Sequence, residues 1–193
     1  MKKIAVFASG TGTNAKRLIE YFRQNELARV TLIVCNKPGA GVISVAETES
    51  VPHLIIEKER FFHGDSYLPV LAEYGIGFIV LAGFLWKVPP RLITSYPDSI
   101  VNIHPALLPK YGGKGMYGNK VHSAVIASGE QESGISIHYV NEVYDEGKMI
   151  LQVACPVLPG DDPDSLASRI HALEHYHYPR VVEKLISESA SFR

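Results

Sequence analysis

The sequence predicts an α/β fold: a mostly parallel sheet flanked by helices, with an antiparallel strand pair near the C-terminus. Apolar runs rich in β-branched residues alternate with stretches of helical period, the pattern of βαβ units. Most of those runs are apolar at every position, as strands covered on both faces must be. After Gly118 the rhythm changes, and two strand-like runs are joined only by "NEVYDEG", too short for a parallel crossover. A Rossmann-like sheet with an antiparallel edge satisfies all three observations.

Taken in order, the predicted strands are "IAVFAS" (4–9), "VTLIVC" (30–35), "HLIIE" (53–57), "GFIVLAG" (77–83) and "SIVNI" (99–103). Helices are predicted at 13–24, 41–49, 64–75 and 89–95, the last opened by Pro89-Pro90, because proline is tolerated in a first turn. A helix near 119–128 then leads to "GISIHYV" (134–140) and "KMILQVACPV" (148–157), which should pair antiparallel. The final segment starts on an Asp/Pro capping signal and repeats apolar residues at Leu166, Ile170 and Leu173, then Val181, Val182 and Leu185. Pro179 should kink or break that helix.

The totals bound the function. At 193 residues the chain can bury a sizeable core, and it is read as a single domain over residues 1–193. Its net charge is −1 and no Lys/Arg run exceeds two residues, so the electrostatic footprint of a nucleic-acid binder is missing. The opening "MKKIAVFASGTG" has too short an apolar run for a signal peptide, and no segment approaches the roughly 20 apolar residues of a membrane span. Cys35 and Cys155 both fall in strand-like runs, which suggests buried thiols in a reducing cytoplasm.

Three constellations can carry chemistry. In "SGTGTN" (9–14), glycines between a strand and a helix allow a tight turn that aims free N–H groups outward, and the helix adds its positive end, so a phosphate fits. The same residues satisfy G-x-G-x-x-A, but strand 2 runs out into Cys35-Asn36-Lys37-Pro38 with no acid to hold a dinucleotide's ribose. Glycines that only make a tight turn are the plainer reading. In "VNIHPALLPKYGG", Asn102 and His104 stand at i and i+2, so both side chains leave one face at the C-terminal end of a strand, where open α/β sheets bind ligands. Asp145, in the later loop, can approach His104 from the other side. An amide that donates to an oxyanion, an imidazole that moves protons and a carboxylate that orients it make an acyl-transfer site. No nucleophile elbow is present, so the attacking group should belong to the substrate. Third, "HALEH" (171–175) matches H-x-x-E-H and would put His171 and His175 on one helix face, but a catalytic zinc needs a third protein ligand, such as His104 or His138, from elsewhere in the chain.

"FASGTGTN", "VLAGF", "VNIHPALLPKYGG", "ISIHYVNEVYDEG" and "ILQ", in this order from Ile4 to about Leu185, resemble the phosphoribosylglycinamide formyltransferase family of folate-dependent enzymes. The resemblance implies one formyltransferase catalytic domain that moves a formyl group from 10-formyltetrahydrofolate to glycinamide ribonucleotide, without a metal. It implies that Asn102, His104 and Asp145 are catalytic, that Gly12, Thr13 and Asn14 hold the substrate phosphate, and that Glu174 binds ribose hydroxyls. The pterin would lie against Leu85, Trp86 and Val88 and the loop that begins with Val140 and Asn141. The expected partners are these two small molecules, with no nucleic acid and no membrane, in a cytoplasmic monomer or homodimer. Two departures stand out: Trp86-Lys87 where many members carry an arginine, and a longer, glycine-rich loop over 111–122. Methionyl-tRNA formyltransferase shares the Asn-His-Asp logic but carries an extra C-terminal tRNA-binding domain; formyltetrahydrofolate hydrolase usually carries an additional N-terminal domain, and sugar formyltransferases a longer C-terminal part. A non-catalytic nucleotide-binding module would use only the glycine turn and leave Asn102, His104 and Asp145 without a common task.

Overall fold

The structure, a computed structural model, describes residues 1–191. Seven strands form one sheet in the order β3-β2-β1-β4-β5-β6-β7. Here β1 is Lys2–Ala8, β2 Ala28–Cys35, β3 His53–Ile55, β4 Ile76–Leu81 and β5 Ile100–His104, all parallel; β6 (Glu132–Tyr139) and β7 (Met149–Pro156) complete the sheet antiparallel. The predicted antiparallel pair is therefore present, and β5–β6 is a second one.

Side chains along β1 alternate between two cores. Ile4, Val6 and Ala8 pack on one face, against α1 (Thr13–Phe22), α6 (Asn119–Ala127) and α7 (Pro163–Ser191). Ala5 and Phe7 pack on the other, with residues of α3 (Lys58–His63), α4 (Leu68–Glu73) and α5 (Pro90–Ser95). The remaining helix, α2 (Gly41–Thr48), joins the first core through Val42 and Ala46. Both faces are covered, which is why the strands read as continuous apolar runs rather than alternating ones.

Three expectations needed correction. The helix predicted over 64–75 is shorter, α4 alone over 68–73, and α3 precedes it over 58–63, where no helix was predicted. Between them Asp65 accepts hydrogen bonds from the Arg60 guanidinium and the Tyr67 N–H, while Ser66 and Tyr67 adopt left-handed backbone angles, so the chain turns where a continuous helix was expected. The strand 53–57 is correspondingly shortened to three residues, since Glu57 serves as the N-cap of α3. Pro179 does not break α7, which runs through it. Its neighbour Tyr178 is fully buried and donates to the carbonyls of Leu81 and Val101, tying the helix to the sheet at the point where a backbone hydrogen bond is missing. Cys35 and Cys155 are both free and buried, as expected.

Candidate active site

The strand order reverses at β1 and β4, and the crevice beyond their C-terminal ends is where such sheets bind ligands. A cavity of about 700 Å³ opens there. All twelve predicted site residues line it, brought together from the turn after β1, the segment after β4, the end of β5, the loop after β6 and the middle of α7.

At one end lies the glycine turn. Gly12 has φ +83, and a Cβ there would come within 2.7 Å of the Val42 Cα, so both conformation and packing demand glycine. This lets α1 begin hard against α2 with no side chain capping it, and Thr13 and Asn14 of its first turn line the cavity. Asn14 donates through Nδ2 to Glu174 Oε2 at 2.8 Å, joining this turn to α7. Glu174 is 5% exposed; burial raises its carboxyl to about 7, against the opposing pull of the Asn14 hydrogen bond. The "HALEH" motif thus places its glutamate on Asn14, while the rings of His171 and His175 stack on each other, 6.3 Å apart.

At the other end the wall is apolar. Trp86 packs against Phe61 and Phe62, and Leu85 stays 44% exposed. Val88 is buried in the second core, so what it offers a ligand is chiefly backbone. The turn is fixed by Ser9, whose hydroxyl accepts the Leu85 N–H at 2.9 Å.

Between the two ends stand the polar residues. Asp145 sits at a left-handed φ of +56 in the loop after β6, a conformation that a non-glycine residue adopts at a cost and that aims its carboxylate inward. Oδ2 accepts the Gly113 N–H at 2.8 Å and lies 3.7 Å from His104 Nδ1. Oδ1 lies 3.4 Å from Asn102 Nδ2 and 3.6 Å from His138 Nε2. The contact with His104 is within ion-pair range but longer than a hydrogen bond. His104 is 4% exposed, and its Nε2 donates to the Tyr111 carbonyl at 2.7 Å, so both ring nitrogens face protein acceptors. Burial lowers the pKa of His104, while the Asp145 charge and the Tyr111 hydrogen bond pull the other way. Asp145 is pushed up by burial, yet the neighbouring imidazoles of His138 and His104 and the Gly113 N–H outweigh this and hold its carboxyl below the ordinary value.

The loop after β5 is clamped from beneath. Ser136 Oγ donates to the Ala106 carbonyl at 2.6 Å and accepts the Leu108 N–H at 3.0 Å; Gln152 donates to the Leu108 carbonyl at 2.8 Å. Sequence reasoning missed the place of two buried histidines in the cavity wall. His138 was considered only as a metal ligand, although its cross-strand partner is Asn102. His122, on α6, is 1% exposed, its Nδ1 has no partner, and burial, followed by His171 and His104, lowers its pKa to about 4.

Comparison with known proteins identifies the family. The sequence profile of the formyl transferase family matches residues 2–182, and the chain belongs to that family. Among its relatives, the chloroplastic phosphoribosylglycinamide formyltransferase of Arabidopsis thaliana is 41% identical over the whole of this chain, which spans 68% of that protein. The phosphoribosylglycinamide formyltransferase of Bacillus subtilis is 34% identical, over 96% of this chain and 95% of its own. A crystal structure of glycinamide ribonucleotide transformylase 1 from Geobacillus kaustophilus superimposes with a TM-score of 0.86 at 38% identity, covering 96% of this chain and 99% of that one.

Proposed function

We propose that this chain transfers the formyl group of 10-formyltetrahydrofolate to the amine of glycinamide ribonucleotide, a step of purine biosynthesis. The observation that supports it best is the meeting of Asn102 and His104 of β5 with Asp145 of the loop after β6, between an uncapped helix N-terminus and an apolar wall in one cavity. A phosphate on the first-turn N–H groups of Gly12, Thr13 and Asn14, with Glu174 beside the ribose, leaves the amine directed at Asn102 and His104. The folate ring lies along Leu85, Trp86 and the segment from Val140 to Asp145.

The amine attacks the formyl carbon, and charge gathers on the formyl oxygen. Asn102 supplies an N–H to it: the N–H now shared with Asp145 over 3.4 Å is held loosely enough for a substrate oxygen to take over. Burial disfavours the charged form of the His104 imidazole, but a second negative charge beside it raises its hold on a proton, with Asp145 balancing the imidazolium. The ring then passes the amine's proton toward the departing folate nitrogen, and the C–N bond to folate breaks as the new formamide forms. His104 Nε2 serves the substrate once the Tyr111 carbonyl gives up its hydrogen bond. No step requires a metal or a nucleophilic side chain, and we place the reaction in the cytoplasm.

The test is formyl transfer by chelator-treated protein, with glycinamide ribonucleotide and initiator methionyl-tRNA offered as alternative acceptors. Metal-independent transfer to the ribonucleotide alone is expected. Transfer to the tRNA, or hydrolysis of the folate without an acceptor, would assign the site to another reaction.

A further inference from the structure

His138 lies directly opposite Asn102 in the antiparallel β5–β6 pair, so both side chains leave the same face of the sheet and reach the same cavity. The formyl-transfer steps above do not use it. The residue is 2% exposed, and both ring nitrogens are engaged. Nδ1 stands 2.8 Å from the Tyr139 carbonyl. A carbonyl only accepts, so Nδ1 carries a hydrogen, and in the neutral ring Nε2 is left with a lone pair. That lone pair faces Asn102 Nδ2 at 3.2 Å.

An amide donates at one end and accepts at the other, while the two ends have nearly the same shape. With its nitrogen turned toward β6, Asn102 gives one N–H to His138 Nε2 and the other to Asp145 Oδ1. Turned over, its oxygen would face a lone pair and a carboxylate. When the formyl oxygen displaces Asp145 from its long contact, His138 is the group that still distinguishes the two orientations. The Tyr139 carbonyl is itself confined, because Gly147 packs so closely on it that any Cβ there would collide with that oxygen. Gly147, Tyr139, His138 and Asn102 form one continuous chain of contacts.

We propose that His138 is a positioning residue for formyl transfer, fixing the imidazole tautomer that holds the Asn102 amide with an N–H toward the formyl oxygen. This rests on the reading of Asn102 as the oxyanion donor. His138 acts through Asn102 and touches neither substrate atom that reacts.

The test compares the parent with His138→Asn, His138→Gln, Asn102→Ala and the Asn102→Ala/His138→Asn double variant, measuring kcat, both KM values and the unfolding midpoint. An asparagine at 138 keeps a donor near the Nδ1 position but withdraws the acceptor; a glutamine carries an acceptor out to the Nε2 position. His138→Asn is expected to lose about tenfold or more in kcat with both KM values within about threefold of the parent, and His138→Gln to recover most of that rate. The double variant should be no slower than Asn102→Ala alone, because the two residues act as one unit. A folded His138→Asn variant within twofold of the parent, a glutamine that rescues nothing, or losses that multiply in the double variant would each overturn the proposal. Should Asn102→Ala keep its kcat, the oxyanion-donor reading fails and the positioning role with it. A collapse in Asn102→Ala beside an unaffected His138→Asn removes the positioning role alone.

Discussion

Replacing Glu174 by glutamine should stabilise the fold in alkaline solution and leave it nearly unchanged in acid. The carboxyl is raised from an ordinary 4.5 to about 7 by burial, with the Asn14 hydrogen bond opposing. A raised acid binds its proton more tightly in the folded than in the unfolded chain, so stability falls as pH climbs from about 4.5 to about 7 and stays lower above that. The size follows from the two values: about 2.5 pH units at 1.36 kcal/mol each is about 3 kcal/mol. Glutamine resembles the protonated acid at every pH and can still accept the Asn14 N–H. Urea unfolding of parent and Glu174→Gln at pH 4 and pH 8 isolates the effect, since every other titrating group is common to both chains. The variant should match the parent at pH 4 and exceed it by about 3 kcal/mol at pH 8. A difference between the two proteins that does not change with pH would show that the carboxyl is not held protonated by burial. Persistence of such a costly group fits a ligand role, and the same substitution should raise KM for glycinamide ribonucleotide while leaving that for the folate unchanged.

Gly12→Ala should cost about 1–3 kcal/mol by combining a left-handed backbone with a collision against α2, and should raise KM for the phosphate-bearing substrate; thermal unfolding and initial-rate kinetics check both parts. Asp145→Asn should lower kcat about tenfold or more. It should also flatten the acid limb of stability: a carboxyl held low contributes stability above its unfolded value near 3.8 and loses it as pH falls through the folded value, and asparagine has nothing to lose there. Equal acid unfolding of the two proteins would contradict that account.

Much of this was legible in the sequence because it depends on local pattern. The apolar runs of β1, β2, β4 and β5 and the glycines of the turn after β1 announce a covered parallel sheet with an anion site at its edge. Asn102 and His104 could be placed together because a strand's two-residue period is reliable over two positions. The helix predicted over 64–75 misled because the turn at its start depends on Asp65 gathering bonds from Arg60 and Tyr67, an arrangement with no periodic signal. Pro179 misled because the tether of Tyr178 to β4 and β5 is invisible in sequence. His138 was missed for a similar reason: its meaning comes from lying opposite Asn102, and the register of β5 on β6 is known only once the sheet is formed. The left-handed backbone that turns Asp145 inward belongs with these, since "DEG" alone reads as an ordinary turn.

The most direct measurement is the single-turnover rate of Asn102→Ala, taken beside the equilibrium affinity of the variant for each substrate. If Asn102 stabilises charge on the formyl oxygen, the variant should fold and bind glycinamide ribonucleotide and the folate within about threefold of the parent, while transfer within the bound complex slows by roughly a hundredfold, about 3 kcal/mol. An unchanged single-turnover rate, or a slow rate explained wholly by lost binding, would contradict the assignment of the reaction to this end of β5.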